Sequence, residues 1–423
     1  MNDLRYLKDK VIEEIELRKD ELIDLCCELI RFPSENPPGN SEPISKFIAT
    51  YLDQFGISTT WHEAAPGMWN LISRVGDASS GKTLVLCGHT DVVPAGDLTR
   101  WKFDPYAGIV EEGGIYGRGA SDMKCGLAGL IFTVAILQQL GIQLSGQLVL
   151  AIVPDEETGG ALGVPWLLKH NLLAGDGCII SEPAFPHHPT IGQKGCTRFR
   201  VTVQGASAHA AVAPLAGTNA ILIAMKAIEH IVSAVSQLSD GGVYFEHIKL
   251  MEASKIFLSE AGYQNESDIL NIIACNVGTI QGGVSVNMVP DQCVFEMDCR
   301  IPFGLTRELV LRTVRKTLEQ LGCEYDMALF GVQSDPNYTS PDDPVCKAVT
   351  EAITYVSEGS ESFGVLQWAA SDARHFRDYG IPVLQYGPAY LPSIHSYNEK
   401  APVEDVIRCA KVYAAAAIDF LRV

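Results

Sequence analysis

The 423-residue sequence has no C-x-x-C pair among its twelve cysteines, which argues against a zinc ribbon or a thioredoxin-type site. Basic residues are scarce, because 32 lysines and arginines face 51 acidic residues and the formal net charge is −19. That balance argues against a nucleic-acid partner and an anionic membrane surface. We therefore expect reduced, mostly buried thiols and neither of those partners.

Long apolar runs are missing as well. The longest, around Leu127–Leu137, is too short to cross a bilayer and predicts a buried helix. The first residues, Met1–Arg5, lack the apolar segment of a signal peptide. Because 47% of the residues are hydrophobic, we expect a globular, cytoplasmic protein with two domains and a large core.

Short apolar runs alternate with helical patterns along much of the chain. Helices are predicted at Leu7–Arg31, Ile44–Phe55 and Cys125–Leu140. Strands are predicted at Asn70–Arg74, Thr83–Cys87, Gln147–Val153, Cys178–Ser181 and Pro382–Tyr386. Continuous apolar strands separated by helices predict an α/β fold in which the sheet is covered on both faces.

The middle of the chain follows a different pattern. Strands are predicted at Thr197–Gln204, Ile272–Ile280, Gln292–Arg300 and Cys323–Phe330, and helices at Asn219–Leu238 and Thr306–Leu321. This β-α-β-β-α-β order predicts a ferredoxin-like α+β domain, although the stretch Ser239–Asp268 fits no element. We therefore expect this domain, residues 196–335, to be inserted into a discontinuous catalytic domain formed by residues 1–195 and 336–423.

Acidic residues and histidines follow three of the predicted strands in the first domain. His89 and Asp91 come after one strand, Glu156 and Glu157 after the next, and Glu182 after a third. Ligands of open α/β sheets bind at the carboxyl ends of the strands, and these side chains suit a divalent metal. One carboxylate of the Glu156-Glu157 pair can hold metal while its neighbour transfers protons, so the pattern predicts metal-assisted hydrolysis.

Six motifs occur together and in order. They are C-G-H-T-D-V-V-P, G-R-G-A-S-D-M-K, D-E-E-T-G-G, S-E-P, G-A-S-A-H-A-A-V-A-P-L-A-G-T-N-A and I-H-S-Y-N-E. From about residue 20 to the C-terminus the chain resembles the family of aminoacylases, acetylornithine deacetylases, succinyl-diaminopimelate desuccinylases and glutamate carboxypeptidases. The resemblance implies a metallopeptidase-like mixed-sheet catalytic domain, an inserted lid that mediates homodimerisation, and two divalent metal ions.

The resemblance also implies the role of each site residue. One metal would be held by His89, Asp122 and Glu182, and Asp122 would bridge to a second metal held by Glu157 and His395. Asp91 would accept the second ring N–H of His89, and Glu156 would be the general base. Zinc is expected, cobalt or manganese could replace it, and a single bound ion is not excluded.

Substrate contacts are implied in the inserted domain. His209 matches the family histidine that reaches across the dimer to stabilise the oxyanion, and Asn287 and Arg300 match lid positions that bind substrate. The sequence departs from the family pattern at Cys125, at Ala369–Asp372 and in the F-P-H-H-P segment that follows Glu182. These departures leave the ligands intact but leave the substrate open.

Simpler explanations of single residues also stay open. His89 and Asp91 could close a turn, Asp122 could cap the helix that follows it, and Glu156-Glu157 could be a solvated pair. Glu182 could be a turn residue, and His395 or His209 could simply be exposed. Arg300 could pair with Asp298, Lys194 could only shape the hinge, and His187-His188 could border the pocket. The occurrence of these metal-site residues together and in order makes these explanations jointly improbable.

The expected activity is hydrolysis of a C–N bond in a small carboxylate, with an N-acyl amino acid as the first choice. A dipeptidase or carboxypeptidase would use the same chemistry and release different fragments. An aminohydrolase that frees ammonia from a non-peptide, for example aromatic, amine also fits. A non-catalytic metal-binding module is the remaining alternative, but such a module would have no use for Glu156.

Overall fold

The computed structural model describes residues 2–213, 215–238, 245–260 and 262–421. The helices are α1 (Asn2–Leu17), α2 (Lys19–Ile30), α3 (Glu42–Asp53), α4 (Cys125–Gln139), α5 (Val164–Lys169), α6 (Ala220–Ser236), α7 (Phe245–Glu260), α8 (Gln264–Ile269), α9 (Arg307–Gln320), α10 (Pro344–Val356), α11 (Ala373–Asp378) and α12 (Val403–Leu421). The strands are β1 (Thr59–Ala65), β2 (Met68–Gly76), β3 (Lys82–His89), β4 (Ile109–Glu111), β5 (Gly114–Tyr116), β6 (Gly146–Val153), β7 (Gly177–Ile180), β8 (Thr190–Gln193), β9 (Gly195–Gln204), β10 (Ala208–His209), β11 (Ala274–Gly282), β12 (Met288–Val289), β13 (Gln292–Ile301), β14 (Tyr325–Ser334), β15 (Asn337–Tyr338), β16 (Val365–Gln367), β17 (Val383–Gln385) and β18 (Lys400–Pro402).

The chain divides into two compact units. Unit 1 comprises Met1–Ile191, Thr339–Val365 and Ser371–Val423, and unit 2 comprises Gly192–Tyr338 and Leu366–Ala370. Each unit has its own hydrophobic core, so each can be described by itself.

Unit 1 is built on a mixed sheet with the strand order β1-β2-β6-β3-β7-β17. β1, β2 and β6 pair antiparallel, whereas β6, β3, β7 and β17 pair parallel. One face packs against α5 and α11, and α4 and α12 contact strands β3 and β6 from the rest of the unit. The predicted α/β sheet is thus confirmed.

Helix α4 is the apolar centre of unit 1. It is buried from Cys125 to Leu137, as predicted for a core helix. Among the described residues, the segment Ala120–Gln139 is long and apolar enough to span a membrane, but 94% of its apolar window is buried inside the structure. Its apolar character is therefore accounted for by packing within the unit.

The parallel strands bring their carboxyl ends to one edge of the sheet. His89 at the end of β3 lies opposite Val153 at the end of β6, and Cys87 lies opposite Ile180 at the end of β7. The residues that follow these three strands therefore emerge close together. The apolar runs predicted these strands, and their parallel register is what positions the candidate site.

Unit 2 contains a four-stranded antiparallel sheet in the order β11-β13-β9-β14. Helices α6 and α9 cover one face, where alternate residues of β13 such as Phe295 and Met297 are fully buried. The opposite face carries polar side chains, as the period-two pattern predicts. The predicted ferredoxin-like topology is confirmed.

Some local predictions need correction. The helix predicted over Leu7–Arg31 is two helices, because the backbone of Arg18 leaves the helical region with φ −109° and ψ 21°. Buried residues continue at helical spacing on both sides, at Val11, Ile15 and Leu22, so the sequence pattern conceals the break. β1 and the small sheet β18-β5-β4 were not predicted.

The stretch Ser239–Asp268, which fitted no predicted element, contains helices α7 and α8 where the structure describes it. Residues 239–244 and 261 lie outside the described residues. The hydrophobic residues of α7 are not spaced so as to form one apolar face. The sequence pattern therefore does not predict a helix there.

Candidate metal centre and active site

Three strand ends and the segment before α4 supply the acidic residues of the site. Glu156 and Glu157 occupy a short 3₁₀ turn after β6, and Glu182 lies two residues beyond β7. Asp122 lies in the irregular turn Ala120–Lys124, where its φ of −123° and ψ of 92° are not helical. Asp122 therefore does not cap α4 with its side chain, and that simpler explanation is wrong.

The first group of possible metal ligands is His89, Asp122 and Glu182. The Nε2 atom of His89 lies 3.2 Å from Oδ1 of Asp122 and 3.7 Å from Oε1 of Glu182. The side chains of His89 and Glu182 are 1% and 9% exposed. All three residues offer ligand atoms within 4.8 Å of one another, so this group can surround one ion.

The second group is Asp122, Glu157 and His395. The Nε2 atom of His395 lies 3.2 Å from Oδ2 of Asp122 and 3.2 Å from Oε2 of Glu157. Asp122 thus directs one carboxylate oxygen to each histidine. The side chain of His395 is 49% exposed. It nevertheless belongs to this group of possible ligands, so His395 is not simply a surface histidine.

Asp91 connects His89 to the acidic turn. The ring Nδ1 of His89 is 2.9 Å from the backbone oxygen of Asp91 and 3.4 Å from its carboxylate. The Asp91 carboxylate accepts the backbone N–H groups of Glu156 and Glu157, each at 3.1 Å. Its principal contacts are therefore with the turn, and its backbone carbonyl gives the shorter contact to the histidine.

The tautomer of His89 follows from this contact. A carbonyl oxygen only accepts, so Nδ1 carries a proton, and Nε2, which faces the carboxylates of Asp122 and Glu182, is the ring nitrogen that a cation would bind after it has lost its own proton. The Oε1 atom of Glu157 is buried without a hydrogen-bond partner. A cluster of acceptors with so few donors fits divalent cations.

Burial and mutual repulsion shift the pKa values of the three glutamates of the site upward. Desolvation, followed by the charge of Asp372, raises the pKa of Glu156 to about 8. Desolvation and the charge of Asp122 raise the pKa of Glu157 to about 7. Burial also raises the pKa of Glu182 well above its usual value. Positive charge at this site would relieve the repulsion.

The two histidines respond in the opposite direction. Hydrogen bonds to Asp122 and Glu157 raise the pKa of His395 to about 11. Burial lowers the pKa of His89, but its contacts with Asp122 and Asp91 outweigh burial and raise it well above its usual value. The carboxylates thus stabilise positive charge at both histidine positions.

Several supporting residues were not predicted. Glu399 accepts the backbone N–H groups of Ser121 and Asp122 at 3.0 and 3.1 Å and pairs with Arg118 at 2.6 Å. Arg118 lies in the motif G-R-G-A-S-D-M-K and Glu399 in the motif I-H-S-Y-N-E. Membership of these motifs was the sequence signal that could have identified this buried pair. Asn36 donates to the carboxylates of Asp91 and Asp155, each at 3.0 Å, and nothing in its Pro-rich loop marked it.

The segment Ala369–Asp372, which departs from the family pattern, ends in Asp372, and the carboxylate of Asp372 lies close to Gly160. A Cβ added to Gly160 would lie 2.3 Å from Oδ1 of Asp372, so this glycine, at a φ of +76°, lets the carboxylate approach the acidic turn. Arg374 donates to the backbone oxygen of Gly159 at 2.8 Å. This segment therefore braces the turn that carries Glu156.

The substrate residues predicted in the insert lie in unit 2. His209 is exposed at the end of β10, and its Nδ1 accepts the N–H of Ala211 at 3.1 Å. Asn287 is exposed as well and contacts Ser285. Arg300 forms a two-pronged pair with Asp298 at 2.7 and 3.1 Å, which is the competing explanation foreseen for it.

The remaining candidates are members of neither ligand group. Lys194 donates to the backbone oxygens of Ile269 and Ile272 at 2.6 and 2.5 Å, so it fixes the end of α8. His187 lines a surface cavity of about 570 Å³ with residues of α10 and α12. Neither His187 nor His188 belongs to the two ligand groups.

Known proteins match nearly the whole chain. A family model described as peptidase family M20/M25/M40 matches residues 85–419. The succinyl-diaminopimelate desuccinylase of Methylocella silvestris is 30% identical over 415 residues, covering 93% of this chain and 96% of the relative. The N-formyl-4-amino-5-aminomethyl-2-methylpyrimidine deformylase of Bacillus subtilis is 26% identical over 441 residues, covering 97% and 96%.

The fold has close counterparts among solved structures. The M20 family metallo-carboxypeptidase Sso-CP2 of Sulfolobus solfataricus superposes with a TM-score of 0.80 at 20% identity, covering 95% of this chain and 100% of that chain. This likeness concerns the fold, whereas the family model concerns the sequence itself. The chain therefore belongs to peptidase family M20 and is a metal-dependent hydrolase of amide C–N bonds.

Proposed function

We propose that the enzyme is a deacylase that hydrolyses the amide bond of a small N-acyl amino acid or a related carboxylate. The observation that carries this proposal is the pair of ligand groups sharing Asp122, with Glu156 beside them and in neither group. The relatives named desuccinylase and deformylase remove acyl groups, which supports a deacylase over a peptidase.

Two divalent ions are proposed as cofactors. His89, Asp122 and Glu182 would hold one, and Asp122, Glu157 and His395 the other. The donor set of imidazole nitrogens and carboxylate oxygens suits Zn²⁺ first, and Co²⁺ or Mn²⁺ also accept it. When bound, the ions act as Lewis acids that polarise the scissile carbonyl and make water a better nucleophile at neutral pH.

The proton transfers are assigned to Glu156. As general base its carboxylate takes a proton from the attacking water, and as general acid it delivers that proton to the leaving nitrogen. Desolvation favours this role because it raises the pKa of Glu156 toward neutrality. Asp91 holds the turn through the N–H groups of Glu156 and Glu157 and so keeps the base in place.

Unit 2 is proposed to contact the substrate. The imidazole of His209 would donate a hydrogen bond to the developing oxyanion in the active site of a partner subunit. Asn287 and Arg300 would bind the substrate carboxylate, for which the planar guanidinium is well suited. The exposure of His209 and Asn287 supports this role, because substrate-binding side chains have to be accessible.

A homodimer through unit 2 follows from that assignment. β11 is an edge strand of its sheet, and an unpaired edge is available for pairing with a second copy. Next to it, α6 exposes Leu222 and Met225, each at 57%, which is unusual for large apolar side chains in a monomer. An antiparallel β11–β11 contact would satisfy the two-fold symmetry of such a dimer.

A cytoplasmic location, with no nucleic-acid or membrane partner, is also proposed. None of the twelve cysteines, all of which lie in the described residues, forms a disulfide, which is typical of a reducing compartment. The net charge of −19 supports the absence of polyanionic partners.

A substrate panel tests the proposed reaction. Metal-reconstituted enzyme is offered N-succinyl, N-acetyl and N-formyl amino acids, dipeptides, N-formylated heteroaromatic amines and free aromatic amines. The deacylase proposal expects the released carboxylic acid and the free amino acid to appear in equal amounts, with the highest kcat/KM for an N-acyl amino acid. Preferential dipeptide cleavage, or release of ammonia, would replace it with the corresponding alternative.

A further inference from the structure

Two cysteines face each other across neighbouring strands of unit 2. Cys275 in β11 lies directly opposite Cys299 in β13 in the antiparallel ladder. Their Sγ atoms are 3.1 Å apart, and both are free thiols. The proposed amide hydrolysis uses neither of them.

The backbone around this pair is suited to a disulfide. Directly opposed residues of an antiparallel ladder have Cα atoms about 4.5 or 5.5 Å apart, depending on the hydrogen-bonding position. Both separations fall within the range of about 4.4–6.8 Å found for disulfides. Joining Cys275 to Cys299 therefore requires a small movement of the sulfur atoms and no rearrangement of the strands.

The two thiols differ in accessibility. Cys275 lies half-buried on the edge strand, whereas Cys299 is fully buried in the core beneath the helices. The hydrogen bond from Cys299 lowers the pKa of Cys275, although burial opposes that effect. The same contact and burial raise the pKa of Cys299. Within one chain Cys275 is thus the more exposed of the two thiols, and Cys299 lies behind it.

We propose that Cys275 and Cys299 form a redox-active pair that hydroperoxides convert into an intrachain disulfide. The Cys275 thiolate attacks the terminal peroxide oxygen, the O–O bond breaks, and the alcohol or water leaves with a proton. The Cys299 sulfur then displaces water from the Cys275 sulfenic acid. The two thiols lose two protons and two electrons, and the hydroperoxide is reduced to an alcohol and water.

The disulfide would staple the hairpin formed by β11 and β13. Between the two cysteines lie Asn287 and Met288, and Met288 pairs with His209 across β10 and β12. Oxidation therefore closes a covalent loop around the segment that carries Asn287 and positions its partner strand. Its direct consequence is a stiffer hairpin, since a cross-link removes conformations from the open chain.

Cys323 supplies a matched control. It is also half-buried in unit 2, and its Sγ donates to the backbone oxygen of Leu318 at 3.8 Å instead of facing a second thiol. Cys26 and Cys125 provide a second comparison. They are neighbours in unit 1, where the Cys26 thiol contacts the Cys125 backbone oxygen, but both are fully buried.

The test exposes the folded, metal-loaded wild-type enzyme to a small excess of hydrogen peroxide and maps its thiols by mass spectrometry after alkylation. The expected product is a Cys275–Cys299 disulfide peptide that dithiothreitol reverses. It should form at least about tenfold faster than Cys323 oxidises, because the lower thiol pKa and the adjacent partner both favour it. Formation at equal rates in folded and urea-unfolded chains would overturn the proposal.

Two variants check the order of events. In Cys299→Ser, Cys275 should accumulate as a sulfenic acid that dimedone traps, whereas in Cys275→Ser, Cys299 should stay reduced for the same exposure. Cys323→Ser should form the disulfide at the wild-type rate. Circular dichroism verifies folding, and the wild-type result decides the proposal if a variant does not fold. Faster trapping at Cys299 than at Cys275 would contradict the assignment.

Discussion

The candidate residues of the two units are held in opposite ways. In unit 1, His89 and Glu399 are buried and the Asp122 side chain is only 13% exposed, and each is fixed by contacts with other site residues. In unit 2, His209 and Asn287 are exposed, and the side chain of each forms a hydrogen bond with a residue two positions away in the chain. A cation site must exclude water and hold several like charges together, so its ligands are over-determined. Groups that meet a substrate must stay accessible.

This difference sets the size of the expected effects. Changes in unit 1 should remove the chemistry itself, because the proposed metal ligands and the proposed base would act on the reacting atoms. Changes in unit 2 should alter binding and transition-state contacts and leave metal content intact. Measuring metal content beside kcat and KM therefore separates the two classes of residue.

The largest effect is expected from removing metal. A chelator should abolish activity, and Zn²⁺, Co²⁺ or Mn²⁺ should restore it, because the carboxylates and imidazoles of both groups accept all three ions. The ratio of ions to chains, measured by elemental analysis, distinguishes one occupied site from two. Full activity in rigorously metal-free protein would show that the ligand groups of unit 1 do not hold a catalytic metal, and the contrast between the two units would then fail.

The next effect concerns Glu156. Glu156→Gln should retain both metals and lose about 10²–10⁴-fold in kcat, the usual contribution of general acid–base catalysis, because the amide cannot take a proton. Glu13→Gln, an exposed change on α1, should leave kcat unchanged. Loss of metal together with an unchanged rate per bound ion would make Glu156 a ligand instead of the base.

The sequence predicted the candidate metal ligands better than it predicted the residues that hold them in place. Strand-end residues such as His89 and Glu182 are marked by the apolar runs before them, and the sheet register then brings them together. Asn36 and Asp372 act across more than fifty residues of chain separation. Their contacts arise from tertiary packing, which no local pattern encodes.

The same distinction applies to the fold. The alternation on β13 predicted its strand and its buried face, because a half-buried strand repeats every two residues. The break at Arg18 was not predictable, since apolar spacing continues through it and one of the guanidinium contacts that accompany it is to Gln139 on the distant helix α4. The spacing of apolar residues indicates which face of a helix or strand is buried. It does not indicate where one helix ends and the next begins.

His209 tests whether unit 2 takes part in catalysis. His209→Ala should lower kcat about 10²–10³-fold, the cost of one oxyanion donor, with unchanged metal content. Mixing His209→Ala with Glu156→Gln subunits should restore activity if the histidine acts in a partner's site. The ceiling is about a quarter of wild-type activity for random equal mixing, since about half the dimers are mixed and each has one complete site.

The exposed His230 on α6 provides the control for this experiment. Its ring contacts the backbone oxygen of Lys226 within its own helix, so His230→Ala should leave kcat and complementation unchanged. Absence of recovery after verified subunit exchange would place His209 in its own chain's site or outside catalysis.

A smaller effect is expected from the support of Asp122. Glu399→Gln removes the negative charge that pairs with Arg118 and that faces the N–H groups of Ser121 and Asp122. Metal affinity should fall about 10–100-fold, as for other groups that orient metal ligands, and kcat of the fully loaded enzyme should stay close to wild type. Competition with a chromogenic chelator measures the affinity, and exposed Glu404→Gln is the control. Unchanged affinity would make the Arg118–Glu399 pair purely structural.

The smallest effect is expected at Arg300, where pairing with Asp298 and substrate binding make different predictions. Arg300→Lys keeps the positive charge but loses the planar fork. If the residue binds the substrate carboxylate, KM should rise about tenfold for a carboxylate substrate and stay unchanged for its uncharged amide analogue, a difference of about 1.4 kcal/mol in binding. Arg200, which contacts Glu296 at 2.9 and 2.6 Å on the same sheet, gives the matched control, Arg200→Lys. Equal KM changes for both analogues, accompanied by a lower melting temperature, would instead show that Arg300 serves the fold of unit 2.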